Sequence, residues 1–187
     1  MSKNSSRLNT TKKIALSATL SALGVIFLAI GSFIEVLDLS SAAIAGFVIA
    51  IAVIELRGQY PVMMYFVISI LSVLVLPNKY PALFFIFFGG FYPIFKAYVE
   101  RFHYIVAWVV KFSLFNTFLA FMILAIKFLI TKGFIPEIEN NDLFENFKII
   151  VFIVANFVFL LYDIAMTRII NLYIIKIRKL IGLKNYF

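Results

Sequence analysis

The chain has 187 residues, of which 64% are hydrophobic and 14% charged, with a formal net charge of +8, 23 Phe and no Cys. Soluble domains carry roughly 45–50% apolar and about 25% charged residues, so a soluble single-core domain is excluded. Disorder, which needs low hydrophobicity, is excluded too, as are a disulfide framework, a thiol enzyme and a cysteine zinc site. What remains is an all-α, polytopic membrane protein.

A bilayer-crossing helix needs about 20 mostly apolar residues, because an unpaired backbone amide in hydrocarbon costs several kcal/mol. In chain order, six runs qualify: Ile14 to Ile34, Leu39 to Ile54, Pro61 to Leu76, Pro81 to Tyr98, Tyr104 to Ile126 and Ile149 to Leu172. The second and third are short. Two charges, a Gly and a Pro between Glu55 and Pro61 separate them, and Pro77-Asn78-Lys79-Tyr80-Pro81 is a similar turn signal after the third. The organisation expected is a basic arm (1–13), one transmembrane domain (14–175) with a long outer segment at about 131–147, and a basic tail (176–187). That outer segment reads as a loop or a short surface helix.

With six spans, Lys3, Arg7, Lys12, Lys13, Arg57, Lys96, Arg101, Arg168, Lys176, Arg178, Lys179 and Lys184 fall on one side. The acidic residues Glu35, Asp38, Glu137, Glu139, Asp142 and Glu145 fall on the other, with Lys79 and Lys132. Lysine and arginine excess marks the cytoplasm, so both termini are expected there. The first apolar run is longer than a signal h-region and ends in Glu35, so it reads as a retained helix. The basic residues flank helices as topology signals and anionic-lipid contacts. They do not form a nucleic-acid patch.

In the first helix Ala15, Ala18 and Ala22 line up with Ser17, Ser21 and Gly24 nearby. Small residues one turn apart let another helix backbone approach closely. The approaching helix is either a span of the same chain or one of a partner. Ala42, Ala43, Ala45, Gly46 and Ala50 give the second helix the same character.

The intramembrane charges need an explanation, since an ionised group in a bilayer costs several kcal/mol unless paired or hydrated. Lys96, Lys111 and Asp163 all lie inside the inner helix ends, Lys111 and Asp163 by roughly 10–14 Å at 1.5 Å rise per residue. Glu100 follows Lys96 by four residues, and Arg168 lies on the same helix as Asp163. We expect a network of Lys96, Glu100, Lys111, Asp163 and Arg168, acting as a coupling site or as a clamp between helices. Asn116 and Asn156, near the middle of the last two helices, pair with each other or line a polar cavity. Gly89, Gly90 and Pro93 break the fourth helix, and the break frees carbonyls that protein must cover.

No P-loop, H-E-x-x-H or G-x-S-x-G motif is present, and one His builds no His-rich zinc site. Catalysis, a cofactor and a metal are not expected. An enzyme needs convergent acids, bases or ligands, and the inward charges form a single balanced cluster.

Six spans with both ends inside, a Lys-Lys start and Ala18-x-x-x-Ala22 resemble the substrate-binding S components of energy-coupling factor (ECF) transporters. The segment from Phe88 to Arg101 is similar to small membrane proteins of low-GC Gram-positive bacteria. The S-component resemblance implies that the alanine face docks on a shared transmembrane coupling subunit driven by two ATPases. It also implies a vitamin or metal held near the outer face, under a covering loop that Glu35 to Ser40 looks like. Outer-half groups, namely Asp38, Asn78, Lys79, Tyr80, Asn116 and Asn156, would then contact the ligand. In size and hydrophobicity the chain also resembles MreD-type shape-determining proteins, which implies a non-transporting scaffold.

Overall fold

The computed structural model describes residues 10–56, 58–131 and 141–177. Among them there is no strand. The helices are α1 (Thr10–Phe33), α2 (Asp38–Glu55), α3 (Tyr60–Val75), α4 (Tyr80–Val99), α5 (Tyr104–Thr131) and α6 (Asn141–Leu172). Five of these contain stretches long and apolar enough to cross a membrane, and α3, with 16 residues, is the shorter sixth. The chain is thus an all-helical protein built like a polytopic membrane protein.

Three boundaries differ from the sequence reading. Helix α5 runs on to Thr131, and α6 starts at Asn141, so residues 141–147 of the expected outer segment are helical. Counting apolar residues misses those turns because Asp142, Glu145 and Lys148 are polar, while helical backbone geometry does not require apolar side chains. The expected covering loop is a single 3₁₀ turn, Glu35–Leu37, followed directly by the first turn of α2. Residues 1–9, 132–140 and 178–187, which hold most of both basic ends and the acidic pair Glu137 and Glu139, lie outside the described residues.

The helices form two compact units, residues 1–98 with 166–187, and residues 99–165. In the first unit α2 is the inner helix, packed on α1, α3 and α4. Its small residues Ala42, Ala45, Gly46, Ala50 and Ala52 are buried, so the second helix spends its small face on internal packing. Pro61 and Pro81 open α3 and α4, positions where a missing N–H costs nothing. Gly58 turns the α2–α3 connection with φ 65°, a left-handed conformation that glycine adopts without steric cost.

Helix α4 contains a π-helical turn at Phe85–Gly89, at the break expected from the glycines. The Gly90 N–H reaches back to the Phe85 carbonyl at 2.7 Å. The Tyr65 hydroxyl, on α3, donates to the Ile86 carbonyl at 2.9 Å. The irregular turn is thus hydrogen-bonded by protein, as hydrocarbon demands. A Cβ on Gly89 would stand 2.6 Å from the Ala42 carbonyl oxygen, so backbone meets backbone there.

In the second unit α5 and α6 pair antiparallel. Contacts step along both helices, from Asn116 with Asn156, through Phe115 with Phe159, to Lys111 with Asp163. The Phe115 and Phe159 rings stack at 4.5 Å and 9°, and Phe112 meets Phe159 edge-on at 5.4 Å.

Gly89→Ala should destabilise the protein by about 1–3 kcal/mol, because the contacted atom is a backbone oxygen that has no rotamer to escape into. Gly58→Ala meets open space and leaves the α2–α4 contact intact, so only its left-handed backbone should cost, about 1 kcal/mol. Thermal unfolding of the two variants in detergent checks the contrast.

Candidate functional site

Contacts within the first unit define its two ends. The Lys13 ammonium at the start of α1 lies 5.6 Å from the centroid of the Tyr60 ring at the start of α3. At the opposite end, Ser32 near the end of α1 meets Asn78 just past α3. Helices α1 and α3 therefore run parallel, and α2 and α4 return antiparallel to them. Glu55 closes α2 at the Lys13 end, where the Tyr173 hydroxyl beyond the end of α6 donates to its Oε1 at 3.2 Å. Lys13 and Tyr173 thus share one end of this unit.

The far end gathers four of the expected ligand candidates. The Asn78 amide donates to both Asp38 oxygens, at 3.3 and 3.4 Å. Its backbone N–H donates to the Ser32 hydroxyl at 2.9 Å, and its side-chain oxygen accepts from the Tyr80 N–H at 3.0 Å. The Lys79 ammonium turns back onto the Val73 and Leu76 carbonyls, capping the C-terminal end of α3 where free carbonyls favour a cation. Asp38 opens α2, where the helix dipole favours its charge. These groups tie the α1–α2 and α3–α4 turns together around Asn78. Asp38 and Asn78 are half-buried, and Lys79 and Tyr80 are exposed.

The other two ligand candidates belong to the second unit and pair with each other. Asn116 Nδ2 donates to Asn156 Oδ1 at 3.2 Å, and Asn156 Nδ2 donates to Asn116 Oδ1 at 3.1 Å. Each amide also donates to the carbonyl four residues back, Phe112 or Phe152. That accounts for the donor protons of both amides, which is the pairing expected and not a ring of free donors.

Three members of the expected charge network meet in the second unit. The Lys111 ammonium lies 3.2 and 3.3 Å from the two Asp163 oxygens and 2.9 Å from Glu100 Oε1. Lys111 and Asp163 are 4% and 3% exposed, while the Glu100 side chain is 45% exposed. The ammonium also stands 5.4 Å from the centroid of Trp108, a cation–π contact that lowers its burial cost. Glu100 lies just past the end of α4, not on the helix as its spacing from Lys96 implies, and reaches Lys111 across the turn into α5. Lys96 and Arg168 belong to the first unit. Lys96 is 2% exposed. Arg168 is exposed.

Sequence reasoning missed Glu55, which is 4% exposed. Its position at the end of an apolar run marked it as a loop charge. The signal lay in Tyr173, one of few polar groups at the matching end of α6.

The α1 helix splits into two faces. Ser21, Gly24, Leu28, Gly31 and Ser32 are buried, and a Cβ on Gly24 or Gly31 would press on Ile68 or Ser41. Ala15, Ala18 and Ala22 are exposed on another face. Among the described residues of its own unit, α1 packs through the serine and glycine face and not through these alanines.

Among the described residues no group of three His, Cys, Asp or Glu side chains is placed to hold a metal ion. No protein-family model matches the chain, and no curated protein or solved structure is similar to it.

Lys111→Met takes the ammonium away from a buried carboxylate and should cost about 3–5 kcal/mol, whereas Lys111→Met with Asp163→Leu should recover most of that loss. Unfolding in detergent reads both. Equal losses in the single and double variants would contradict the pairing.

Proposed function

We propose that the chain serves in a bacterial plasma membrane as a small-molecule-binding subunit of the S-component kind. In this reading it captures a vitamin or similar micronutrient and docks through α1 on a shared transmembrane coupling subunit. A partner ATPase pair then supplies the energy that this chain, with no nucleotide motif, does not.

The observation that carries the proposal is the exposure of Ala15, Ala18 and Ala22 beside a separate, buried face of the same helix. Lipid contact has no need of small side chains, since tails pack against Leu or Phe equally well. A smooth alanine surface gains most where a second helix comes close enough for backbone-to-backbone dispersion contact. The Ser32, Asp38, Asn78, Lys79 and Tyr80 group at the far end supplies the polar contacts for a ligand. The Lys111–Asp163 cluster then acts as the clamp that holds α5 against α6.

One observation favours a scaffold of the MreD-like kind instead. Asn78 is spent on Asp38, and Asn116 on Asn156, which leaves fewer donors for a ligand. Native mass spectrometry separates the two. A retained small molecule supports the binder, and retained cell-wall enzymes support the scaffold.

Ala18→Trp should lower co-purification of the coupling subunit about tenfold or more, equivalent to ~1.4 kcal/mol, with unfolding of the isolated chain unchanged. Undiminished co-purification would count against docking through α1.

A further inference from the structure

We propose that the Lys13 end of the first unit is a binding surface for the phosphate of anionic phospholipids, built from Lys12 and Lys13 on α1 and Arg168 and Lys176 on the last helix.

The contacts of Lys13 with Tyr60 and of Tyr173 with Glu55 bring these elements to one end of the unit. Lys176 follows Tyr173 within a π-helical turn, Tyr173–Ile177. Among the described residues, Lys12, Lys13, Arg168 and Lys176 make no ion pair, and the Lys13 ammonium lies over the Tyr60 ring. The unit's other acids, Glu35 and Asp38, belong to the opposite end by sequence. Glu55, the acid at this end, is buried and hydrogen-bonded to Tyr173. It makes no ion pair with Lys12, Lys13, Arg168 or Lys176.

Arg168 is the telling residue. It lies in an exposed apolar strip with Ile164, Ile169, Leu172 and Ile175, the kind of face that meets lipid. A guanidinium there is costly unless it reaches the interface and a counter-anion. Eight residues separate Arg168 from Lys176, about 12 Å along the helix. Long side chains at either end of that span converge on one headgroup layer. A planar guanidinium binds phosphate in bidentate fashion, and the lysines add point charges. An acidic protein partner is the competing occupant. Phospholipid is favoured because the cations are spread across two helices at a bilayer-interface depth and flank tyrosines, which themselves prefer that depth.

The inference rests on the helices spanning a bilayer and not on docking through α1. The full chain is reconstituted in nanodiscs of mixed phosphatidylglycerol and phosphatidylcholine, and lipids retained after detergent extraction are counted by native mass spectrometry. Wild type should retain phosphatidylglycerol preferentially. R168Q/K176Q and K12Q/K13Q should each lose that preference on the order of tenfold or more, with helix content unchanged by circular dichroism. K79Q, at the opposite end, and A18W should retain it. Equal retention in wild type and both double variants, or an equal loss in K79Q, would overturn the proposal. Displacement of the lipid by an equal concentration of inorganic phosphate would also overturn it, by assigning the surface to a soluble anion.

Discussion

Every backbone N–H and C=O placed in hydrocarbon must find its partner inside the protein, because no water is there to supply one. That constraint explains why the described chain is helical and why the break inside α4 is handled so closely. At Phe85–Gly89 the helix widens to a π turn, and the Tyr65 hydroxyl comes from a neighbouring helix to take the Ile86 carbonyl. Gly89 and Gly90 make this possible by removing the side chains that would collide with the Ala42 backbone and the Phe85 and Tyr65 rings. The π turn, the tyrosine and the α2 contact are therefore one device.

The same logic governs the charged and amide side chains. Lipid offers no hydrophobic drive to bring helices together, so dispersion packing and polar pairs do that work. In the second unit the Asn116–Asn156 pair, the Phe115–Phe159 stack and the Lys111–Asp163 pair follow one another along α5 and α6. They set the register of two helices whose apolar surfaces alone would slide. In the first unit, register comes from small residues instead, with Gly24 and Gly31 on α1 and Ala42 and Ala45 on α2. The exposed alanines of α1 are small residues that do none of this internal work, and the proposed docking role starts from that contrast.

Much of this was legible in the sequence. Apolar run length located the helices, since the bilayer imposes a length that composition must meet. Asn116 with Asn156 was readable as a pair and Lys111 with Asp163 as members of one network, since a polar group in lipid must have a partner and few candidates share its depth. The start of α6 was not, since solvent-side turns are helical without being apolar. The grouping of Asp38 with Asn78 was readable only as a shared side, because their contact depends on how two turns are brought together. Glu55 was misplaced because a charge at a helix end looks the same in sequence whether it faces water or Tyr173. The two faces of α1 were also out of reach, because Ala18 and Ser21 are equally small and only packing tells which is used.

The central claim is that the alanine face of α1 meets a partner helix. The chain has no native Cys, so a photoreactive label can be attached at single introduced cysteines and activated in native membranes. Labels at Ala18 and Ala22 are predicted to give one defined adduct with an integral membrane protein that co-purifies with ATPase subunits, while a label at Ser21 on the buried face gives none. Adducts from Ala18 and Ala22 with lipid alone would contradict the account.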